Sequence, residues 1–318
     1  MVELSTQPGT GALPGHGVGV ARPRDESMSN PVDPDDGRFV DAGGLRWHLQ
    51  IQGAGPIALL VHGTGASNHS WRGLIPYLAP HFTVLAPDLP GHGRTSLGRG
   101  RNMSLPGMSD ALGELLLTMD ADPVLAVGHS AGVAVLARLA LDGGLPRARL
   151  ASVNGALLPL RGVQGHLFSP MAKLLAINPL VPRLVSWAAG QSSLVDRMLA
   201  DTGSRIDPTG VEQYRRLAGS PRHVAAALKM MARWDLQPLG RELGRITSPL
   251  LLIAGAADRM VPPEDAQRVR ALIPEAELVA VDGLGHLAHE ESPGQIADLL
   301  LGFAHTRQQM IRPSEGDL

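Results

Sequence analysis

The sequence contains no cysteine among its 318 residues, which excludes disulfide bonds, thiolate nucleophiles and cysteine-ligated metal sites. Aromatic residues make up only 3% of the chain, and 28 basic residues against 30 acidic ones provide no positive field for nucleic acid. The N-terminal residues lack the basic and then apolar pattern of a Sec signal peptide, so none is expected, and no apolar run comes near the length of about 18 residues that a membrane span needs. We therefore expect a cytoplasmic protein that binds no nucleic acid and has no transmembrane segment. Peripheral contact with a membrane is left open.

Composition divides the chain into regions of different character. Residues 1–37 are rich in glycine, proline, serine and aspartate without an apolar period, which predicts a disordered leader. A second methionine, Met28, leaves a later start open. Beyond the leader, apolar runs alternate with helical patterns, except in one stretch of about 80 residues that has helical patterning but no strand pattern. This organisation predicts a first core segment, an inserted helical cap, a second core segment and a tail: 38–154, 155–235, 236–305 and 306–318.

The apolar runs lack the alternation of a half-exposed sheet, as expected for parallel strands that are covered on both faces. An Ala-Gly-Gly turn between the first two runs indicates a hairpin. Strands are predicted at 39–41, 45–52, 57–61, 83–86, 123–127, 150–153, 250–254 and 278–281, and core helices at about 71–79, 108–119, 131–141, 263–273 and 294–304. Strands and helices that alternate in this way predict an α/β fold with a mostly parallel, doubly wound sheet.

The most informative motif is the run Gly128-His129-Ser130-Ala131-Gly132, which joins a predicted strand to a predicted helix. A G-x-S-x-G turn is so tight that only glycine fits at its flanks, and it holds the serine hydroxyl over the carboxyl edge of the sheet. Ser130 is therefore the predicted nucleophile. The alternative is that Ser130 merely caps the following helix. His129 is expected to pack in support of the turn.

A serine hydroxyl needs a general base, and the base needs an orienting acid. Asp258 and His286 each follow a predicted strand, in the order serine, acid, histidine that such sheets use, and we predict that they complete a catalytic triad. Asp258 could instead cap the next helix, and the other common acid position holds Asn154, which cannot ionise. His289 competes with His286, although a core or surface role is favoured for it. No H-E-x-x-H motif supports a metal site.

The segment that begins His62-Gly63-Thr64 follows the third predicted strand and is the expected oxyanion loop. The backbone N–H groups of Thr64 and Ala131 are predicted to stabilise a developing oxyanion, with His62 and Gly63 in supporting roles. The glycines of this loop do not form a dinucleotide-binding fingerprint, because Asn68 stands where the third glycine belongs. Neither a cofactor nor a metal is expected.

Together, these motifs resemble the α/β-hydrolase superfamily over about residues 38–305. Four segments are more specifically similar to the magnesium-chelatase accessory hydrolases of bacteriochlorophyll biosynthesis. This resemblance implies a photosynthetic bacterium and a role near magnesium insertion into protoporphyrin, with magnesium chelatase as a partner, but no defined reaction. The similar segments are His62-Gly-Thr-Gly-Ala-Ser67, Asn154-Gly-Ala-Leu-Leu-Pro159, Phe168-Ser-Pro-Met-Ala-Lys-Leu-Leu175 and Gly285-His-Leu-Ala-His-Glu290.

The leading hypothesis is a serine hydrolase that acts on an acyl, ester-type bond of an apolar, porphyrin-like substrate. The alternative is a non-catalytic porphyrin-binding or chelatase-assembly factor on the same scaffold. Residues 154–235 hold ten basic and five acidic side chains among many apolar ones. Such a cap suits a large apolar ligand with acidic groups, or an anionic membrane face, although an ordinary amphipathic lid would look the same.

Overall fold

The computed structural model describes residues 37–98, 100–159, 178, 180–191 and 193–305. Nearly all of the predicted leader and the whole predicted tail lie outside the described residues. The same holds for residues 160–177 of the predicted cap, which include the segment at 168–175 that carries part of the resemblance.

Eight strands form one sheet in the order β1-β2-β4-β3-β5-β6-β7-β8. The pairs β1–β2 and β2–β4 are antiparallel, and the other five pairs are parallel. This confirms the mostly parallel, doubly wound α/β sheet. The strands are β1 (Arg38–Ala42), β2 (Leu45–Gln52), β3 (Ile57–Val61), β4 (Thr83–Pro87), β5 (Leu125–His129), β6 (Arg149–Val153), β7 (Leu250–Gly255) and β8 (Glu277–Val281).

Helices cover both faces of the sheet, and the strands supply apolar side chains to each. In β3, Ala58 and Leu60 join one buried cluster while Leu59 and Val61 join the other, as period-2 alternation requires. The core helices are α1 (Ile75–Leu78), α2 (Leu105–Thr118), α3 (Ala131–Leu141), α9 (Pro263–Leu272), α10 (Ala288–Glu291) and α11 (Pro293–His305). One cluster packs under α2, α3 and α9, and the other under α1 and α11.

The described part of the predicted cap is helical and contains no strand, in agreement with its sequence pattern. Its helices are α4 (Leu180–Gln191), α5 (Leu194–Asp201), α6 (Pro208–Ala218) and α7 (Pro221–Arg233), and α8 (Gln237–Glu242) leads back to the core. The exact domain boundaries stay predictions. In the described part of the chain, no helix has both the length and the apolar character that crossing a membrane requires.

Two of the predicted elements differ from the structure in ways that proline explains in part. The predicted helix at 71–79 is instead a short 3-10 turn, Asn68–Trp71, followed by α1, because Pro76 cannot donate a backbone hydrogen bond to the preceding turn. Strand β5 begins at Leu125 and not at Pro123, which also lacks the N–H that ladder pairing needs. It then continues through His129, directly up to Ser130.

Candidate active site

Ser130 stands between the end of β5 and the start of α3 with φ 51° and ψ −120°. Such a conformation costs a non-glycine residue about 1–3 kcal/mol and persists only where the surroundings enforce it. A Cβ at Gly128 would lie 2.6 Å from the Val133 backbone, and one at Gly132 would collide with the Val61 and His62 carbonyl oxygens. Both glycines are therefore required by close backbone packing. The side chain of Ser130 makes no capping hydrogen bond to α3, contrary to the alternative interpretation.

Asp258 and His286 form a hydrogen-bonded pair at the same edge of the sheet. The Nδ1 atom of His286 lies 2.8 Å from Asp258 Oδ2, and both side chains are largely buried. Asp258 Oδ1 accepts hydrogen bonds from the N–H groups of Met260 (2.7 Å) and Val261 (2.9 Å). Asp258 thus stabilises its own turn, whereas α9 begins after Pro262 without a side-chain cap. Because the carboxylate accepts from Nδ1–H, the Nε2 atom of His286 is left as a proton acceptor.

His129, the neighbour of Ser130 in the sequence, connects the turn that carries Ser130 to His286. His129 Nε2–H donates to the His286 carbonyl oxygen at 2.9 Å, and the two imidazole rings are 4.8 Å apart. No hydrogen bond between the Ser130 hydroxyl and His286 occurs among the described side chains. Nucleophile–base hydrogen bonds are often long before substrate binds. The structure therefore brings all three predicted triad residues to one edge, and the catalytic role of Ser130 stays a prediction.

The loop after β3 passes directly beside Ser130. A Cβ at Gly63 would lie 3.0 Å from Ser130 Cβ, so a larger residue there would press on the serine. His62 braces this loop: its Nδ1–H donates to the Gly63 carbonyl at 2.8 Å, and its Nε2 accepts from Leu89 N–H at 2.9 Å. Burial lowers the pKa of His62, which keeps the ring in this neutral tautomer.

The two predicted oxyanion donors are available for a ligand. Ala131 is the first residue of α3, where a backbone N–H has no acceptor within the helix. The Thr64 N–H likewise has no acceptor among the residues that the structure describes, and the Thr64 hydroxyl contacts Met230 Sδ at 3.4 Å. That both N–H groups bind the same oxyanion stays a prediction.

Comparison with known proteins agrees with the fold described above. A family model for the alpha/beta hydrolase fold matches residues 56–293. The chain belongs to the α/β-hydrolase family. The magnesium-chelatase 30 kDa subunit of Rhodobacter capsulatus is 37% identical over 280 residues, which cover 88% of this chain and 95% of that protein.

Two further comparisons place this α/β hydrolase among more distant relatives. The 2-hydroxy-6-oxo-2,4-heptadienoate hydrolase of Pseudomonas putida is 29% identical over 81% of this chain and 92% of its own length. The crystal structure of an alpha/beta hydrolase fold protein from Burkholderia ambifaria has a TM-score of 0.71 at 23% identity and covers 86% of this chain and 99% of that one. The latter likeness is one of fold.

Asn154 holds together the two loops that carry the acid and the base of this α/β hydrolase. It follows β6 with φ 49°, and its Nδ2 donates to the carbonyl oxygens of Gly285 (2.7 Å) and His286 (2.8 Å). Its Oδ1 accepts from Gly255 N–H at 2.7 Å, at the end of β7. From the sequence, Asn154 was noted only because it occupies a common position of the catalytic acid and cannot ionise. Its position just after a strand, like Asp258 and His286, was the signal that it shares their edge.

Asn154→Asp is expected to weaken both stability and activity. Aspartate tolerates the positive φ equally well, but it would place a carboxylate against two carbonyl oxygens that now receive N–H donors. We expect the free energy of unfolding to fall by at least about 2 kcal/mol and kcat/KM for an ester to fall about a hundredfold through misplacement of His286. Urea unfolding and steady-state kinetics measure the two effects. Asn178→Asp, at an exposed position of the cap, is the control and should match the wild type. An Asn154→Asp variant with the stability and activity of the wild type would mean that Asn154 does not hold the two loops together.

The cap contacts the oxyanion loop through His223 of α7. Its Nδ1 accepts from Gly93 N–H at 3.1 Å, and its Nε2–H donates to the Gly65 carbonyl at 3.0 Å. Burial lowers the pKa of His223 to about 4, so the ring is neutral at pH 7, as both bonds require. A cap residue thus fixes the loop that carries Thr64, a contact that no local pattern in the sequence indicates.

A buried polar network joins the cap to the segment that follows His286. Arg72 contacts both Glu290 and Asp207, the residue that caps α6, and Tyr214 donates to Glu290 Oε1 at 2.8 Å. Burial raises the pKa of Glu290 to about 7 even though Arg72 opposes that shift. The adjacent Glu291 accepts from Gly285 N–H at 2.8 Å and so steadies the loop of the base.

His289, the competing histidine, lies in the core without a carboxylate to orient it. Its ring is fully buried, 4.5 Å from the rings of both His129 and Trp71, and burial lowers its pKa to about 3. A ring that stays neutral and has no orienting acid is poorly suited to act as the base. Among the described residues, no group of three or more histidine, aspartate or glutamate side chains could hold a metal ion.

Proposed function

We propose that this protein is a serine hydrolase that cleaves an acyl, ester-type bond of an apolar substrate. The observation that carries the proposal is the strained, uncapped Ser130 at the same sheet edge as the oriented His286–Asp258 pair. A helix cap or a packing serine has no need of that backbone conformation. Strain of this kind is typical of residues held for function.

In the proposed reaction, Ser130 Oγ attacks the acyl carbon while His286 Nε2 takes the hydroxyl proton. Asp258 stabilises the imidazolium, and the N–H groups of Thr64 and Ala131 stabilise the oxyanion. The imidazolium then protonates the leaving alcohol as the ester bond breaks. In the second half, water attacks the acyl carbon of the acyl-enzyme and gives a proton to His286. The imidazolium then returns that proton to Ser130 Oγ as the acyl–Oγ bond breaks, which releases the acid and restores the free serine.

We place this reaction near the magnesium-chelatase step of bacteriochlorophyll biosynthesis, with a porphyrin-like apolar substrate and magnesium chelatase as a partner. Support comes from the Rhodobacter capsulatus relative, which is named a magnesium-chelatase subunit and aligns over 95% of its length. The apolar side chains of α7, including Ala226 and Met230, pack into the cluster beneath the cap and lie beside the oxyanion loop. The cap side chains nearest the oxyanion loop are therefore apolar.

A second candidate is a pigment-binding or chelatase-assembly factor that needs no turnover. Two observations favour it: the relative is named as a subunit, and the Ser130 hydroxyl is not bonded to His286 among the described residues. The two candidates differ in one requirement, which is a reactive Ser130.

A fluorophosphonate probe tests the proposal on the full-length protein. The probe phosphonylates only serines activated by a base, so we expect wild-type protein to be labelled and Ser130→Ala to lose labelling entirely. Ser193→Ala removes an exposed serine of the cap and should label like the wild type. An unlabelled wild type, or a labelled Ser130→Ala, would contradict the serine mechanism. Full restoration of pigment by Ser130→Ala in a strain lacking this protein would favour the assembly factor.

A further inference from the structure

Helix α4 of the cap exposes its large apolar side chains and buries its small ones, the reverse of an ordinary amphipathic helix. Its small residues Pro182, Ser186 and Ala189 face the protein and are buried. Its large apolar residues face outward: Leu180 is 57% exposed, Leu184 63% and Trp187 67%. A helix that serves only to cover a core buries its large apolar side chains.

The exposed residues form one continuous stripe. At about 100° per residue, the positions i, i+3, i+4 and i+7 fall on one side of a helix. These are Leu180, Arg183, Leu184 and Trp187, directly opposite the buried small residues. Met198 of α5, the next helix, is also 60% exposed. We call the four residues of α4 the α4 stripe.

The charge around the α4 stripe is positive. Arg183 lies within it and Arg197 belongs to the next helix, α5, and neither has a carboxylate partner among the described residues. Asp196 of α5 is instead paired with Arg215 at 2.8 Å. Residues 154–235 as a whole carry ten basic against five acidic side chains, while the entire chain has a net charge of −2. The excess of basic charge is thus concentrated in the region that bears the stripe.

We infer that the α4 stripe binds the surface of an anionic lipid membrane. Tryptophan and leucine enter the boundary between headgroups and acyl chains, and arginine pairs with lipid phosphates just above it. A helix of 12 residues is too short to cross a bilayer, so α4 would lie in the plane of the interface. Charge complementarity favours an anionic over a zwitterionic surface. This inference does not depend on hydrolysis by Ser130.

Vesicle flotation with the full-length protein tests the inference directly. We expect binding to phosphatidylcholine vesicles that contain phosphatidylglycerol, and little binding to phosphatidylcholine alone. Leu184→Asp should lower the partition coefficient about tenfold or more, and Arg183→Gln about fivefold. The matched controls are Leu117→Asp, a leucine 79% exposed on α2, and Arg270→Gln on α9, and both should bind like the wild type.

Fluorescence reports whether the stripe itself meets the lipid. Trp47 and Trp71 are fully buried and Trp234 is partly buried against the core, whereas Trp187 lies exposed in the stripe. The emission of Trp187 should therefore shift to the blue with anionic vesicles. Trp187→Phe should lose most of that shift and still float with the vesicles. Wild-type protein that fails to float, or Leu184→Asp that floats equally well, would overturn the inference. So would a wild-type dimer that Leu184→Asp converts to monomer without any vesicle binding, since the stripe would then serve a second copy.

Discussion

Asp258→Asn is expected to lower kcat for an ester substrate by about four orders of magnitude while leaving the protein folded. The reason lies in how the carboxylate is held. Its Oδ1 accepts from two backbone N–H groups, those of Met260 and Val261, and its Oδ2 faces Nδ1 of His286. Asparagine has a single oxygen, and the two backbone donors compete for it.

The amide NH₂ of the variant would therefore point at His286. It would donate to Nδ1 and so force the proton onto Nε2, where the ring must instead accept the proton of Ser130. Wrong-tautomer variants of serine hydrolases lose about 10⁴-fold in kcat, and their geometry is otherwise preserved. Steady-state kinetics and the rate of fluorophosphonate labelling should fall together.

Asp282→Asn is the appropriate control, because Asp282 is an exposed carboxylate in the loop that leads to His286. It should retain wild-type rates. An Asp258→Asn enzyme within tenfold of the wild type would mean that Asp258 does not orient the base. Circular dichroism and thermal melting would show that any loss of rate is not a loss of fold.

The fold could be predicted largely from local pattern because its strands are short apolar runs buried on both faces. The bounds of β3 agree with the prediction at both ends, and β7 extends only one residue further. The errors occurred where backbone chemistry overrides the pattern. The apolar stretch at 71–79 has helical spacing, but Pro76 removes the hydrogen bond that would continue a helix.

In the candidate site, too, some residues could be predicted from local pattern and others could not. Ser130, Asp258 and His286 could be placed because each follows a strand, and parallel strands deliver their carboxyl ends to one edge. Asn154 and His223 act through backbone groups that lie far away in sequence, such as Gly285 and Gly65. Such partners carry no side-chain signature, so only the folded chain reveals them. The network around Glu290 joins side chains, but Arg72, Asp207 and Tyr214 lie far from Glu290 in sequence, and no local pattern links them.

Mild acid is expected to unfold this protein, because six of its histidines are buried and held neutral. Burial is the first cause of the lowered pKa in every case, reaching about 4 for His223 and about 3 for His289. A histidine of the unfolded chain takes up a proton near pH 6.5. The six are His62, His69, His92, His129, His223 and His289.

The sign follows from proton linkage. A group whose folded pKa is depressed contributes stability above its unfolded pKa, and that contribution is lost as the pH falls toward the folded pKa. Each such histidine can remove up to about 1.4 kcal/mol per pH unit below pH 6.5. Glu290 works in the opposite direction, because its pKa is raised to about 7 and its protonation between pH 7 and its unfolded value favours the folded state. The stabilising effect of this one carboxyl group at lower pH is smaller than the destabilising effect of the six histidines.

We therefore expect the free energy of unfolding to fall steeply as the pH drops from about 6.5 to about 5, because the six histidines all act with the same sign and a typical stability is only about 5–15 kcal/mol. Urea unfolding at several pH values between about 8 and about 5 measures the slope. His289→Phe keeps a ring against His129 and Trp71 but cannot titrate, so it should lessen the slope by about one histidine's share. His81→Gln, at an exposed position, should leave the slope unchanged. A free energy of unfolding that stays constant from neutral pH to pH 5 would contradict this prediction. It would mean that these buried rings take up protons in the folded protein as easily as in the unfolded chain.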